Sequence, residues 1–269
     1  MNDLVLLESH ALPGTDRRAG LVTLNRPDDL NAMSAGLIRE FDRALNEVES
    51  DPTMAVLLVT GAGRAFSAGG DLKDYVELQR DEAAFRQFVV GLHQTFSRLR
   101  VLSLPVIALV NGVTAAGGLE LILNCDMAIA AANARIGDGH LNYGQMGGGG
   151  VLTLLPRVVG IQRAAQLIFG GQFLSAHEAE RWGLVNWVVP PDELLQSGLD
   201  FARLVADKSP LAVANAKRVL NGNWLEARSV DEGLKFEADT NVRYCTTSHD
   251  APEGLAAFRD KRPPRFEGR

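Results

Sequence analysis

Cysteine is scarce in this chain: Cys125 and Cys245 are the only two in 269 residues. Two cannot build a disulfide framework, and no His/Cys spacing suits zinc, so no metal and a reducing compartment are expected. Positive charge is in deficit too, with 27 Lys and Arg against 33 Asp and Glu and a net charge of −6. That balance removes the footprint of a nucleic-acid binder, with "RDKRPPRF" near the C-terminus as the one local exception. The opening "MNDLVLLESH" lacks a basic stretch followed by a long apolar run, and also the Arg/Ser bias of a transit peptide. A cytoplasmic protein is expected. Long apolar runs are missing as well. Val101 to Leu119 carries no charge, but Pro105, Asn111 and three glycines interrupt it, so it reads as a buried strand–turn–helix rather than a membrane span.

What is present suits a globular chain with a sizeable core: 46% of residues are hydrophobic and 22% charged. No repeat or low-complexity linker appears. "LVLLE" and "GLVTLN" read as short strands. Ser34 then caps a helix whose apolar stripe runs Leu37, Phe41, Leu45, Val48. "MAVLLVTG" is a continuous apolar strand of the kind covered on both faces. The unit recurs: a glycine-bearing loop leads to a helix over about Asp81 to Arg100, and "PVIALVNG" is another buried strand. "TAAGG" opens the helix "GLELILN", and "CDMAIAAA" adds one more strand. Strands alternating with helices predict right-handed crossovers and an α/β core.

Beyond Gly170 the chain turns helical, with capping-box patterns at Ser175 and Ser229. We expect a core over 1–199 and a helical region over 200–269. A helical segment that small buries little alone, so it is expected to pack on the core or on a second subunit. His10, His93, His177 and His249 are expected at the surface, and Trp182 and Trp187 in packing roles.

"VLLVTGAGRAF" runs a strand into G-x-G, but the third glycine of a dinucleotide loop would fall on Phe66, and no acid ends a suitable strand about twenty residues on. There is also no P-loop and no G-x-S-x-G. Two glycine turns remain, "FSAGGDL" and "AAGGLE", each after a buried strand. Two N–H groups converging from separate turns would form an oxyanion hole for a carbonyl or thioester. The alternative is that these glycines only permit tight strand–helix packing.

Several stretches fall in one family's order and at its intervals: "VTLNRPDDLNAMS", "AFSAGGDLK", "PVIALVNGVTAAGGLELILNCDMAIA", "LPRVVG" and "EGLAAFRDKRPPRF". Over nearly its whole length the chain resembles the crotonase, or enoyl-CoA hydratase/isomerase, family. The resemblance implies an α/β fold of repeated ββα units wound as a spiral, with a helical C-terminal trimerisation region. It implies a homotrimer or a hexamer, and an acyl-CoA substrate that carries its own coenzyme A, with no other cofactor. Some members of the family bind nucleic acid, but the acidic balance argues against that role here, and the interrupted apolar run argues against a membrane. The oxyanion donors would be the amides of Ala68 and Gly117. Ala68, Gly69, Gly70, Asp71 and Leu72 would run along the adenine and pantetheine, with Asp71 fixing the loop. Phe258 and Lys261 would meet the nucleotide end. Arg26 is open to a CoA phosphate or to a surface ion pair.

Hydratases of the family place two glutamates around one water. Glu120 matches the first, and a glutamate inside an apolar helix needs a partner or a function. The second position falls on His140, in "IGDGHLNYGQMGGGG", and Gly147 replaces the usual proline of the following turn. A histidine can donate or accept a proton at neutral pH, so a Glu120–His140 pair could still hydrate an enoyl thioester. The same pair serves other enolate chemistry: C–C hydrolysis, thioester hydrolysis, decarboxylation or isomerisation. Family members that cleave cyclic β-diketones carry histidine here and an aspartate nine residues later, where this chain has Gly149. Asp138 and Tyr143 are polar neighbours of His140, and a hydrogen-bonded wall residue is its bland reading. A non-catalytic CoA-binding protein is the alternative of another class, and Glu120 and the glycine turns argue against it.

Overall fold

The computed structural model describes residues 3–269. Its strands are β1 (Val5–Ala11), β2 (Arg18–Leu24), β3 (Met54–Gly61), β4 (Ala65–Ser67), β5 (Val106–Val110), β6 (Val113–Ala115), β7 (Met127–Ala131), β8 (Arg135–Gly137), β9 (Phe173–Ser175) and β10 (Trp187–Val189). They form a six-stranded sheet in the order β1-β2-β3-β5-β7-β10 and a four-stranded sheet in the order β4-β6-β8-β9. The larger sheet is parallel except for the edge pair β1–β2. Each turn of the chain gives one long strand to the first sheet and one three-residue strand to the second: β3 and β4, β5 and β6, β7 and β8. This is the repeated ββα spiral. The three-residue strands lie in stretches that read as loops from sequence, because they are too short to show a period.

The helices are α1 (Ala35–Ser50), α2 (Leu72–Leu78), α3 (Glu82–Val101), α4 (Gly117–Leu123), α5 (Val151–Val159), α6 (Ile161–Gly170), α7 (Ala176–Trp182), α8 (Leu194–Ala206), α9 (Pro210–Leu225), α10 (Val230–Thr247) and α11 (Asp250–Asp260). Ser34 caps α1, its hydroxyl accepting from the Leu37 amide at 3.2 Å, and Leu37, Phe41, Leu45 and Val48 are all buried. Both capping boxes, at Ser175 and Ser229, are formed.

The continuous apolar character of β3 now has a cause. Successive residues alternate between two cores: Leu57 and Val59 join the large cluster that includes α1 and α3 residues, whereas Val56 and Leu58 face a second cluster with Leu194 and Ala202 of α8. A parallel strand covered on both faces has no polar side to show. The expected break at residue 199 falls inside α8, which packs on β3. The tail proper therefore starts at α9.

Lys217 fastens that tail. Only 6% exposed, it donates from Nζ to the carbonyls of Leu99 and Leu104 at 2.7 and 2.8 Å, and pairs with Asp126 at 2.7 Å. Removing one partner of a buried pair leaves the other charge uncompensated. Lys217→Ala should thus cost about 3–5 kcal/mol of stability, read as a lowered urea midpoint. Asp250, fully buried, accepts from Ser209 Oγ and from the amides of Glu267 and Gly268, which folds residues beyond α11 back onto the domain. Leu220, Leu234 and Val242 of α9 and α10 remain exposed.

Trp182 and Trp187 pack against the two clusters as expected. Of the four histidines expected at the surface, His93 and His177 are exposed. His10 and His249 are half-buried, the latter beside Asp250. Among the described residues no helix is long and apolar enough to cross a membrane. The run from Val101 to Leu119 is divided among the end of α3, β5, β6 and the start of α4.

Candidate active site

Because β4 and β6 are neighbours in the small sheet, the glycine turns that follow them lie side by side. A methyl group on Gly69, whose φ is +95°, would sit 2.6 Å from Ala116 Cβ, and one on Gly118 would sit 2.4 Å from the Ser67 carbonyl. Tight packing thus needs these glycines. It does not use up their amides.

One expected donor is corrected. The Ala68 amide donates to the Leu30 carbonyl at 2.9 Å, so it is spent within the protein. Leu30 takes a left-handed conformation (φ 52°) in the loop before α1, ahead of Asn31, whose side chain binds the Ala62 and Ala65 carbonyls. Among the described residues, the amides of Gly70 and Gly117 donate to no protein acceptor. A methyl on Gly117 would lie 3.5 Å from Gly69 Cα and 3.6 Å from the Gly69 carbonyl carbon, so the Gly69–Gly70 peptide lies against Gly117. The residue before Gly117, Ala116, has φ 48° and ψ −116°. A side chain in that region costs on the order of 1–3 kcal/mol, and such strain clusters at functional sites.

Asp71 is tied to its own loop and to Arg26. It caps α2 by accepting from the Lys73 amide at 3.0 Å and pairs with Arg26 at 2.9 Å. Burial works against its charge, but Arg26 and the Lys73 amide outweigh that and hold its pKa below the ordinary value. Arg26 is also bound to Asp29 and the Ala32 carbonyl, which makes the ion pair its structural role. Leu72 is exposed at the rim. The turn and α2 border a cavity of about 420 Å³ that Ala116, Asp138 and His140 also line.

Glu120 sits one turn into α4 and is 1% exposed. Its Oε1 accepts from the amides of Gly149 at 2.7 Å and Val151 at 3.3 Å. Burial raises its pKa, and nearby His140 and the two amides offset part of that rise. A side chain at 149 would push Glu120 aside, since a methyl there would lie 2.3 Å from Glu120 Oε2. Gly149→Ala should therefore displace the carboxylate and cost about 1–3 kcal/mol, visible as a lower melting temperature together with reduced activity.

His140 faces the same place. A methyl on Gly147 would lie 3.3 Å from Glu120 Oε1 and 3.5 Å from His140 Cε1. The His140 Nδ1 is 2.7 Å from Asp138 Oδ1. Burial alone would lower its pKa, but the Asp138 bond and the Glu120 charge reverse this, and the net shift is upward.

Sequence reading missed Tyr75. Its ring covers Gly70, with the hydroxyl 3.2 Å from where a Gly70 methyl would be, and it packs edge-on against Phe85 and Phe88. Burial, reinforced by Glu120, pushes the phenol up to about 12. It lies on a short helix with no sequence signature. Phe258 and Lys261 are not brought to the site within one chain. Phe258 is 86% exposed on α11, Lys261 ends that helix, and neither borders the cavity.

A two-sheet spiral with paired glycine turns above a buried carboxylate is the crotonase architecture. The family model described as enoyl-CoA hydratase/isomerase matches residues 16–269. A short-chain-enoyl-CoA hydratase of Clostridium acetobutylicum is 36% identical over 93% of this chain and 94% of its own length. A probable enoyl-CoA hydratase of Rhizobium meliloti is 38% identical over 95% and 96%. The crystal structure of an enoyl-CoA hydratase from Bacillus anthracis superposes with a TM-score of 0.90 at 32% identity, covering 99% of this chain and all of that one. The chain belongs to the enoyl-CoA hydratase/isomerase family and is an enzyme of that family.

Proposed function

We propose that the protein adds water across the double bond of an enoyl-CoA thioester. The observation that carries this reading is the convergence of Glu120 and His140 on Gly147, beside two unspent amides. The thioester oxygen accepts from the amides of Gly70 and Gly117. The Glu120 carboxylate takes a proton from water, and the hydroxide forms its bond to the β-carbon. The double-bond electrons move towards the thioester, and the negative charge that develops on its oxygen is met by the two amides. His140, as imidazolium, delivers a proton to the α-carbon. Glu120 then holds the water proton, which returns to His140 through solvent, so one water is added and both groups are restored. Coenzyme A enters with the substrate, and the reaction uses no further cofactor.

Cleavage of a cyclic β-diketone by an acid at position 149 fits poorly, because Glu120 occupies that space. The same proposal includes a trimer or a doubled trimer, with exposed Leu220, Leu234 and Val242 meeting a neighbouring subunit. The test is hydration of crotonyl-CoA and longer enoyl-CoAs, followed by loss of the enoyl thioester absorbance. Turnover supports the reading, and inactivity across the panel with CoA binding intact overturns it.

A further inference from the structure

Asp138 follows β8 directly and is 1% exposed. A carboxylate at that depth needs a partner, because an unpaired buried charge is costly. Among the described residues its side chain has one hydrogen-bond partner, His140 Nδ1 at 2.7 Å. Gly139 between them takes a left-handed conformation (φ 68°), which ends the extended run of β8 and turns the chain between the two residues. The Asp138 main chain is tied down as well, since its carbonyl accepts from the Ala116 amide at 2.7 Å, in the turn that presents Gly117.

A carboxylate only accepts hydrogen bonds. The Nδ1 facing it must therefore carry a proton whether the ring is neutral or charged, and Nε2 is left as the nitrogen that exchanges one. Glu120, on α4, supplies a second negative charge to the ring, and the same charge acts on the Tyr75 phenol on α2. Both of these charges, Asp138 and Glu120, favour the charged ring. We propose that Asp138 is a positioning residue that locks Nδ1 of His140 in its protonated form and leaves Nε2 as the atom that hands over the proton. The catalytic half of this inference rests on the hydration reading above. The hold on the ring does not.

The two halves can be tested separately. In 15N-histidine-labelled protein, the His140 signal is assigned by its loss in His140→Ala among the five histidines of the chain. Across the titration the wild type should keep Nδ1 protonated and Nε2 titrating. In Asp138→Asn the titration should move to lower pH, and Nδ1 should lose its fixed proton. For kinetics, kcat of Asp138→Asn should fall at least about tenfold, and by no more than the roughly 10²–10⁴ that a general acid supplies. KM should stay within about twofold, and the alkaline limb of kcat/KM should shift to lower pH. A merely structural Asp138 would lower stability or raise KM without moving that limb. An unprotonated Nδ1 in the wild type overturns the proposal without any variant, as does an Asp138→Asn protein with unchanged His140 titration. If the fixed tautomer is present and no enoyl-CoA is hydrated, the hydration reading fails while the role of Asp138 in holding the ring stands. Hydration without the tautomer sinks this inference alone.

Discussion

Glu120→Gln should lower kcat for crotonyl-CoA hydration by about 10²–10⁴, the usual contribution of a general base. The amide oxygen of glutamine can still accept from Gly149 and Val151, as Oε1 does at 2.7 and 3.3 Å, so the loop after His140 should keep its course. The NH2 group cannot take a proton from water, and that loss is felt only on the way to the transition state. KM should change little. The melting temperature should hold or rise, because the substitution removes a buried charge whose main perturbation is desolvation. A large loss of kcat with unchanged stability is the expected pair of results. Near-wild-type turnover would remove Glu120 from the reaction.

His140→Ala should cost at least about a hundredfold in kcat, within the same general acid–base range. The pH profile adds an independent check. If the imidazolium is the acid, kcat/KM falls as pH rises through the His140 pKa, which lies above its ordinary 6.5. On the acid side activity falls as Glu120 gains a proton, with a midpoint above the ordinary 4.5. The two groups interact, so the limbs report the pair. The stability signs follow from the same shifts. His140 contributes stability that is complete below about 6.5 and lost as pH rises through the folded value. Glu120, shifted upward as an acid, likewise favours the folded state at low pH and costs stability once it ionises. His140→Glu separates chemistry from placement: activity retained in it would mean that position, more than imidazole, is what the site requires.

Much of this was legible in the sequence. The Ser34 cap and its stripe, the long strands and Glu120 in its apolar helix each follow from local pattern. Other features depend on distant residues. Whether the amide of Ala68 or of Gly70 is free is settled by Leu30, almost forty residues earlier, whose left-handed backbone brings its carbonyl to Ala68. The strands of the small sheet are three residues each and carry no period. The Asp138–His140 bond closes across the left-handed turn at Gly139, and an acid two residues before a histidine does not reveal it. Phe258 and Lys261 match the family by motif position alone, and a motif does not say from which copy of the chain a site is completed.

The space around Gly149 also constrains how this site could have changed over time. A side chain at 149 pushes the Glu120 carboxylate away from the amides of Gly149 and Val151 that now hold it. A lineage that acquires an acid at 149 therefore disturbs the old carboxylate in the same step. The original activity should decline as the new arrangement is built. Duplicated copies, one free to fail, would be the accessible route.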